Sequence, residues 1–394
     1  MQIETDVLIV GSGPAGSIAA KELAKNGIRV YLVDKKSEIG TPKRCAEGIL
    51  RSTLDELDIK YNQQWISWKI NGIKIVAPDK NFLTFSEDNF NLPDKGYILE
   101  RKVFDKHLTM EAIRYGAKTL IKTEVTDIQR TNTGFLVTAH NFHEKLVIKT
   151  KILIAADGPE SRVARMAGLK TNTSLKDMAS CIQYEMINVK TDNMSHVEVH
   201  VGSIVPGGYI WIFPKSDDSA NVGLGILKSY TDKTAKYFLD KFVESNEKLK
   251  DAQIVAMNVG GDPLGGLIEE RYSDNIMVIG DAAGFVDPLT GDGIRTAMLS
   301  GKYAGIVATK AIKNNDCSAK AFKEYYDMSQ EKIGKSFNKY NKIKEFLLTL
   351  DDKSLDKIVE NISKSELNDL NVTDLLKIVI KSSPKSILNL TKLL

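Results

Sequence analysis

The chain has 394 residues, 42% of them hydrophobic and 27% charged, with a formal net charge of +3. That length can bury more than one core, and so small a positive balance excludes a protein that holds nucleic acid through a basic surface. Three widely spaced cysteines, Cys45, Cys181 and Cys317, exclude a disulfide framework and an iron–sulfur ligand set, and they suit a reducing compartment.

The N-terminus enters a strand at once, with no basic segment, apolar stretch and cleavage site, so no secretory signal is expected. Residues 7–10 are an apolar run, followed by Gly11-Ser12-Gly13-Pro14-Ala15-Gly16 and by Ile18, Ala19, Leu23 and Ala24 at helical spacing. This is a strand, a turn and a helix. Glycine lets the turn approach a pyrophosphate, and the helix N-terminus offers N–H groups and positive partial charge. A second strand, 30–33, ends in Asp34, an acid at the distance at which ribose hydroxyls are bound. A loop containing Gly40 and Pro42 then leads to Arg44-Cys45-Ala46-Glu47-Gly48, where Arg44 favours the thiolate of Cys45.

The stretch 65–90 is rich in aromatic and β-branched residues, and Leu99-Glu100-Arg101 opens a helix running to about Tyr115. Strands are expected at 119–125, 135–139, 145–148 and 152–155, the last ending in Asp157-Gly158 before a helix from Ser161. From 179 to about 257 strand signals dominate, with turns at Pro206-Gly207-Gly208 and Ser216-Asp217-Asp218. His196, Glu198 and His200 alternate with valines, which predicts a strand with its polar face outward and no metal pair. In Tyr209-Ile210-Trp211-Ile212-Phe213 the period of two puts three aromatics on one face and two isoleucines on the other.

A buried strand at 276–279 leads into Gly280-Asp281, and Pro288-Leu289-Thr290-Gly291-Asp292-Gly293-Ile294 leads into a further helix. Asp281 can bond a ribityl hydroxyl, and the helix N-terminus can stabilise negative charge on a reduced ring. Together the two glycine-rich stretches point to one flavin dinucleotide, FAD. From Lys310 onward the pattern is helical, with sixteen Lys against twelve Asp plus Glu. No apolar run is long enough to span a membrane. Leu375, Leu376, Ile378, Val379 and Ile380, interleaved with Lys377 and Lys381, suit an amphipathic helix on its own protein or on an anionic bilayer.

This combination resembles the geranylgeranyl reductase family, in particular its archaeal digeranylgeranylglycerophospholipid reductases. The discriminating pieces are the R-C-x-E-G loop at 44–48 and Pro206 to Pro214, which matches a P-x-x-Y-x-W-x-F-P motif at every fixed position. The resemblance implies an α/β (α+β overall) fold. A Rossmann-like FAD-binding domain of the glutathione-reductase/aromatic-hydroxylase type (1–64, 97–175 and 270–325) is interrupted by an antiparallel β-sheet substrate domain (65–96 and 176–269). A helical C-terminal cap follows at 326–394. It implies Gly11, Gly13, Ala15 and Gly16 at the pyrophosphate, Asp34 on the ribose, and Arg101 and Val125 beside the adenosine and phosphate. Arg44, Cys45, Ala46 and Gly48 would line the flavin, with Asp157, Asp281, Gly291, Gly293 and Ile294 completing the cofactor set. Asp34 stands where relatives often have Glu, and Ala46 where a relative has Gly.

The implied reaction is FAD-dependent reduction of isoprenoid double bonds in a prenylated glycerophospholipid. Tyr209, Trp211 and Phe213 would wall the substrate, and Cys45 would donate a proton or contact the flavin. The electron donor would be external, ferredoxin or NAD(P)H-derived, and the protein cytoplasmic, with peripheral contact at the inner face of the cell membrane. The alternative of another chemistry is an FAD-dependent monooxygenase of an apolar substrate; an electron-transfer flavoprotein and a lipid-binding module rank below it.

Overall fold

The computed structural model describes residues 1–86, 95–191 and 193–364. The apolar segment 375–390 lies outside the described residues. The chain forms two compact units: Met1–Lys43 with Arg101–Ser174 and Pro263–Asn341, and Arg44–Glu100 with Leu175–Asp262 and Lys342–Leu394. The expected limits differ, since they assign 44–64 to the first unit and set 326–394 apart. The difference at 44–64 has a local cause: Gly48–Leu50 pairs with Gly96–Leu99, which also pairs with Ile66–Ile70, so this small sheet draws the loop into the second unit.

In the first unit the strand Gln2–Val10 lies between Glu144–Ala155 and Val30–Val33, parallel to both. Lys118–Leu120 extends the sheet on one side, and Ile276–Val278 and Tyr272–Ser273 extend it on the other. Val7, Leu8 and Ile9 are fully buried, as a central parallel strand covered on both faces requires. The helix Pro14–Lys25 buries Ile18, Ala19 and Leu23, and it packs against the long helix Ile294–Asn314. A Cβ at Gly301 would stand 2.2 Å from the Ala15 carbonyl oxygen, so a residue without a side chain is needed for this approach.

Two strand expectations change in detail. The segments 145–148 and 152–155 are one strand, Glu144–Ala155, which keeps Gln2–Val10 company over its whole length while hairpinning with Gly134–Asn141. The segment 119–125 is instead two strands, Lys118–Leu120 and Thr123–Thr131, because Lys122 turns the chain with a φ of 53°.

The second unit is built on a seven-stranded sheet in the order Gln253–Pro263, Met178–Ile187, Ser219–Leu227, Tyr209–Pro214, His196–His200, Gly72–Val76, Phe82–Ser86. Pairing is mostly antiparallel, with His196–His200 and Gly72–Val76 parallel. One face carries a core of Tyr184, Met186, Ile210, Ile212, Val222 and Leu224 beneath the helix Ala235–Ser245. That helix falls where strand signals dominate and was not expected. Its cues are local all the same: Thr234 caps it through the Tyr237 N–H, and Ala235, Phe238, Leu239, Phe242 and Val243 follow at helical spacing.

The polar face of His196–His200 does not point to solvent, which corrects the sequence reading. The strand lies inside the sheet, and Glu198 is 6% exposed, with Lys248 at 3.4 Å, His200 at 3.5 Å and Lys74 at 3.7 Å. Burial pushes its carboxyl up, but the His200 contact and the two lysine charges outweigh this and hold it at about 2.

Candidate functional site

In the first unit the glycine-rich turn leaves strand Gln2–Val10 through Gly11, whose N–H donates to the Val33 carbonyl. Gly11 has φ +110°, and a Cβ there would lie 2.1 Å from the Ala156 oxygen. A Cβ at Gly16 would lie 1.9 Å from the Gly11 oxygen. Both positions are demanded by the protein's own backbone. Gly13 is different: its φ of −68° suits any residue, and a Cβ there would meet nothing within 4 Å. Its missing side chain leaves space at the N-terminus of helix Pro14–Lys25, whose first N–H groups can receive an anion. Asp34, 6% exposed, accepts from the Ser12 N–H at 2.8 Å, the Ser12 hydroxyl at 2.6 Å and the Lys36 N–H at 2.9 Å. It thus ties this turn to the end of the second strand. The Thr123 N–H donates to the Asp34 carbonyl at the head of the strand that carries buried Val125.

The later motif comes to the same place. A Cβ at Gly280 would stand 3.0 Å from that of Ala15. The Ser161 hydroxyl donates to the Ala282 carbonyl, linking the turn after Asp157-Gly158 to the Gly280 loop. Gly291 turns at φ +69°, and Asp292 accepts from the Ile294 N–H at the start of helix Ile294–Asn314. Arg101 is fixed by two bonds to Asp105, at 2.8 and 3.0 Å, and its charge acts on both Asp281 and Asp292. Asp105 has no part in the sequence reading, although its i,i+4 spacing from Arg101 is a readable signal.

Asp157 accepts from the Val163 N–H through Oδ2, while its buried Oδ1 finds no hydrogen-bond partner among the described residues. An orphaned carboxylate oxygen and an open glycine at a helix N-terminus fit a polyhydroxylated, phosphate-bearing dinucleotide. Burial also pushes Asp281 up from 3.8 to about 6, with Arg101 opposing. Because the folded value lies above the unfolded one, the stability this group contributes is full below 3.8 and is lost as pH rises through about 6. Urea unfolding of the cofactor-free protein is expected to show wild type losing stability relative to Asp281→Asn across that window. Parallel curves would contradict it.

In the second unit the loop Arg44–Gly48 lies against the aromatic strand. A Cβ at Gly48 would be 3.1 Å from the Phe213 ring. The Trp211 indole N–H donates to Gln183 at 2.9 Å, and the Gln183 amide donates to the Cys45 carbonyl at 3.1 Å. Tyr209 meets Trp211 edge to face, with centroids 5.9 Å apart. Ile210 and Ile212 face the core, so the aromatics occupy the other side of the sheet as the alternation predicts. Asn221 donates to the Ala46 carbonyl and to Glu47, and Lys215 donates to Glu47 and Glu100. Gln183, Asn221, Lys215 and Glu47 have no role in the sequence reading. Only Glu47 and Lys215 had a cue, one inside a motif and one directly after it.

Cys181 and Cys317 stand apart from both clusters in chemistry, each with its thiol pushed up by burial.

The family model of the geranylgeranyl reductase catalytic domain matches residues 177–261, the stretch that carries Gln183, the aromatic strand, Lys215 and Asn221. That of the pyridine nucleotide-disulphide oxidoreductases matches 5–210. The chain is 51% identical over 391 residues to digeranylgeranylglycerophospholipid reductase 2 of Methanosphaera stadtmanae, covering 99% of this chain and 100% of that one. It is 49% identical over 393 residues to digeranylgeranylglycerophospholipid reductase 1 of Methanothermobacter thermautotrophicus, covering 100% and 99%. The crystal structure of a geranylgeranyl bacteriochlorophyll reductase-like protein from Thermoplasma acidophilum is similar over all of both chains, with 34% identity and a TM-score of 0.93. The first unit is thus a Rossmann-like FAD-binding domain, the second carries the reductase catalytic match, and the chain belongs to the geranylgeranyl reductase family of flavin oxidoreductases.

Proposed function

We propose that this protein reduces the isoprenoid double bonds of geranylgeranyl chains in archaeal membrane-lipid precursors, 2,3-di-O-geranylgeranylglyceryl phosphate and related lipids, to saturated chains. The observation that carries the reading is the contact between its two discriminating motifs: Gly48 under the Phe213 ring, and Gln183 joining Trp211 to the Cys45 carbonyl.

When bound in its reduced form, FAD supplies a hydride. Gly11, Gly13, Ala15, Gly16, Asp34, Arg101, Val125, Asp157, Asp281, Gly291, Gly293 and Ile294 would hold it, with Arg44, Cys45, Ala46 and Gly48 as further contacts. A trisubstituted alkene has no carbonyl to activate it, so a proton must reach the less substituted carbon while hydride reaches the tertiary one. Cys45 gives that proton as its S–H bond breaks, and the thiolate recovers a proton from water. Tyr209, Trp211 and Phe213 shield the double bond from water and turn ring faces toward the positive charge that develops on the tertiary carbon, while the partly exposed Cys45 stays within reach of solvent. The two electrons come from an external donor, ferredoxin or NAD(P)H-derived.

No described helix is long and apolar enough to cross a membrane, and a lipid substrate suits a cytoplasmic enzyme in peripheral contact with the inner face. Turnover with a chemical reductant in sealed and in aerated vials tests the chemistry. The expected product gains two hydrogens per double bond in the sealed vial and takes up no oxygen atom in either. A product heavier by one oxygen, with oxygen consumed, would replace the reading with a monooxygenase.

A further inference from the structure

Glu47 holds a backbone conformation that its side chain disfavours. Its φ is +76°, a region that costs a residue with a Cβ roughly 1 kcal/mol and glycine almost nothing. What a glutamate adds is its carboxylate, which is fully buried. Oε2 accepts from Lys215 Nζ at 2.9 Å and from Asn221 Nδ2 at 2.8 Å. Lys215 is itself buried, donates to Glu100 at 2.8 Å and lies 3.8 Å from Glu185.

The loop's carbonyls are tied as well. Gln183 donates to that of Cys45, and the same Asn221 nitrogen donates to that of Ala46 at 3.2 Å. Two neighbouring strands, and the residue that follows a third, therefore grip three consecutive loop residues. The left-handed turn at Glu47 then directs its own N–H back onto Cys45 Sγ, at 3.1 Å.

We propose that Glu47 is a positioning residue for Cys45: its carboxylate, clamped by Lys215 and Asn221, keeps the Glu47 N–H on Sγ and so makes the thiol a stronger acid. An N–H donor to sulfur favours the thiolate, as does the adjacent Arg44. Lys215, Glu100 and Glu185 are the further charges of this cluster. Burial pushes Lys215 down, but Glu47 and Glu100 outweigh it and hold its pKa above the ordinary lysine value, so the clamp stays charged at neutral pH. A stronger acid matters to turnover only if Cys45 is the proton donor of the reading above; the clamp itself is independent of that.

The test labels thiols of the FAD-loaded protein with iodoacetamide as a function of pH and reads each cysteine by peptide mass spectrometry. Glu47→Ala is expected to slow Cys45 labelling at neutral pH by about tenfold and to shift its pH profile upward, the loss of one hydrogen bond to a charged group. Glu47→Gln, which still accepts from Asn221, is expected to restore most of the rate. Cys181 and Cys317 should be unaffected. If Glu47→Ala does not fold, Asn221→Ser carries the test, since it removes amide bonds without stranding a buried charge; a slower Cys45 is again expected. Unchanged Cys45 labelling in a folded variant would overturn the clamp. Since labelling is read without turnover, the clamp and the reductase reading can fail separately.

Discussion

Gly13→Ala is expected to leave the cofactor-free protein folded, with unchanged melting, and to weaken FAD binding by about a hundredfold. The two halves of this result come from one observation. Among the described residues, no atom beyond its chain neighbours lies within 4 Å of the added methyl group, and the backbone there is ordinary, so the fold has no reason to resist it. The space it fills is the one left open at the N-terminus of helix Pro14–Lys25, where in the proposed cofactor site the pyrophosphate would approach the backbone closely. Overpacking of such a contact costs up to about 3 kcal/mol, which is roughly a hundredfold in affinity. Gly11→Ala serves as the contrast: its methyl group would strike the Ala156 carbonyl, and the protein itself should be destabilised. Melting curves and FAD titration of both variants check this. Equal loss of stability in the two would remove the argument that Gly13 is reserved for the cofactor.

Cys45→Ala is expected to retain FAD stoichiometrically and to lose alkene-reducing turnover by about a hundredfold or more, the usual contribution of a positioned general acid. The Cys45 side chain is partly exposed, so truncation should not unfold the loop that Gln183, Asn221 and Lys215 hold through other atoms. Steady-state rates with reduced enzyme and lipid, normalised to bound flavin, give the measurement. Full turnover with normal flavin content would assign proton delivery to another group and leave Cys45 without a chemical role.

How far such features can be read from the chain depends on how local their causes are. The first strand, turn and helix, with Asp34 at the end of the second strand, are readable because an apolar run, spaced glycines and a helical repeat lie within about thirty residues. The aromatic strand is readable for the same reason, since alternation alone separates Trp211 from Ile210 and Ile212. Alternation does not say which face meets water. In His196–His200 the polar face is internal because it shares a side of the sheet with Ile210 and Ile212, where Phe242 of the helix Ala235–Ser245 packs on the His200 ring, and Lys74 and Lys248 neutralise Glu198.

The clamp on Glu47 illustrates the harder case. Its partners Lys215 and Asn221 stand 168 and 174 positions away in sequence, and only the pairing of strands brings them to the loop. The orphaned Oδ1 of Asp157 was equally beyond reach, because a missing partner is a property of packing and not of residue type. The helix Ala235–Ser245 belongs to neither class. Its cap and spacing were present in the chain, and the surrounding strand signals obscured them.

The central claim is that reduced flavin in this protein hands its electrons to an unactivated alkene. The direct measurement is a single turnover without oxygen: reduce the purified FAD-loaded protein with dithionite, add 2,3-di-O-geranylgeranylglyceryl phosphate, and follow flavin absorbance together with the mass of the lipid. The account predicts reoxidation of the flavin with a gain of two hydrogens in the lipid per flavin. A flavin that stays reduced until oxygen enters, and a lipid that then gains one oxygen, would contradict it.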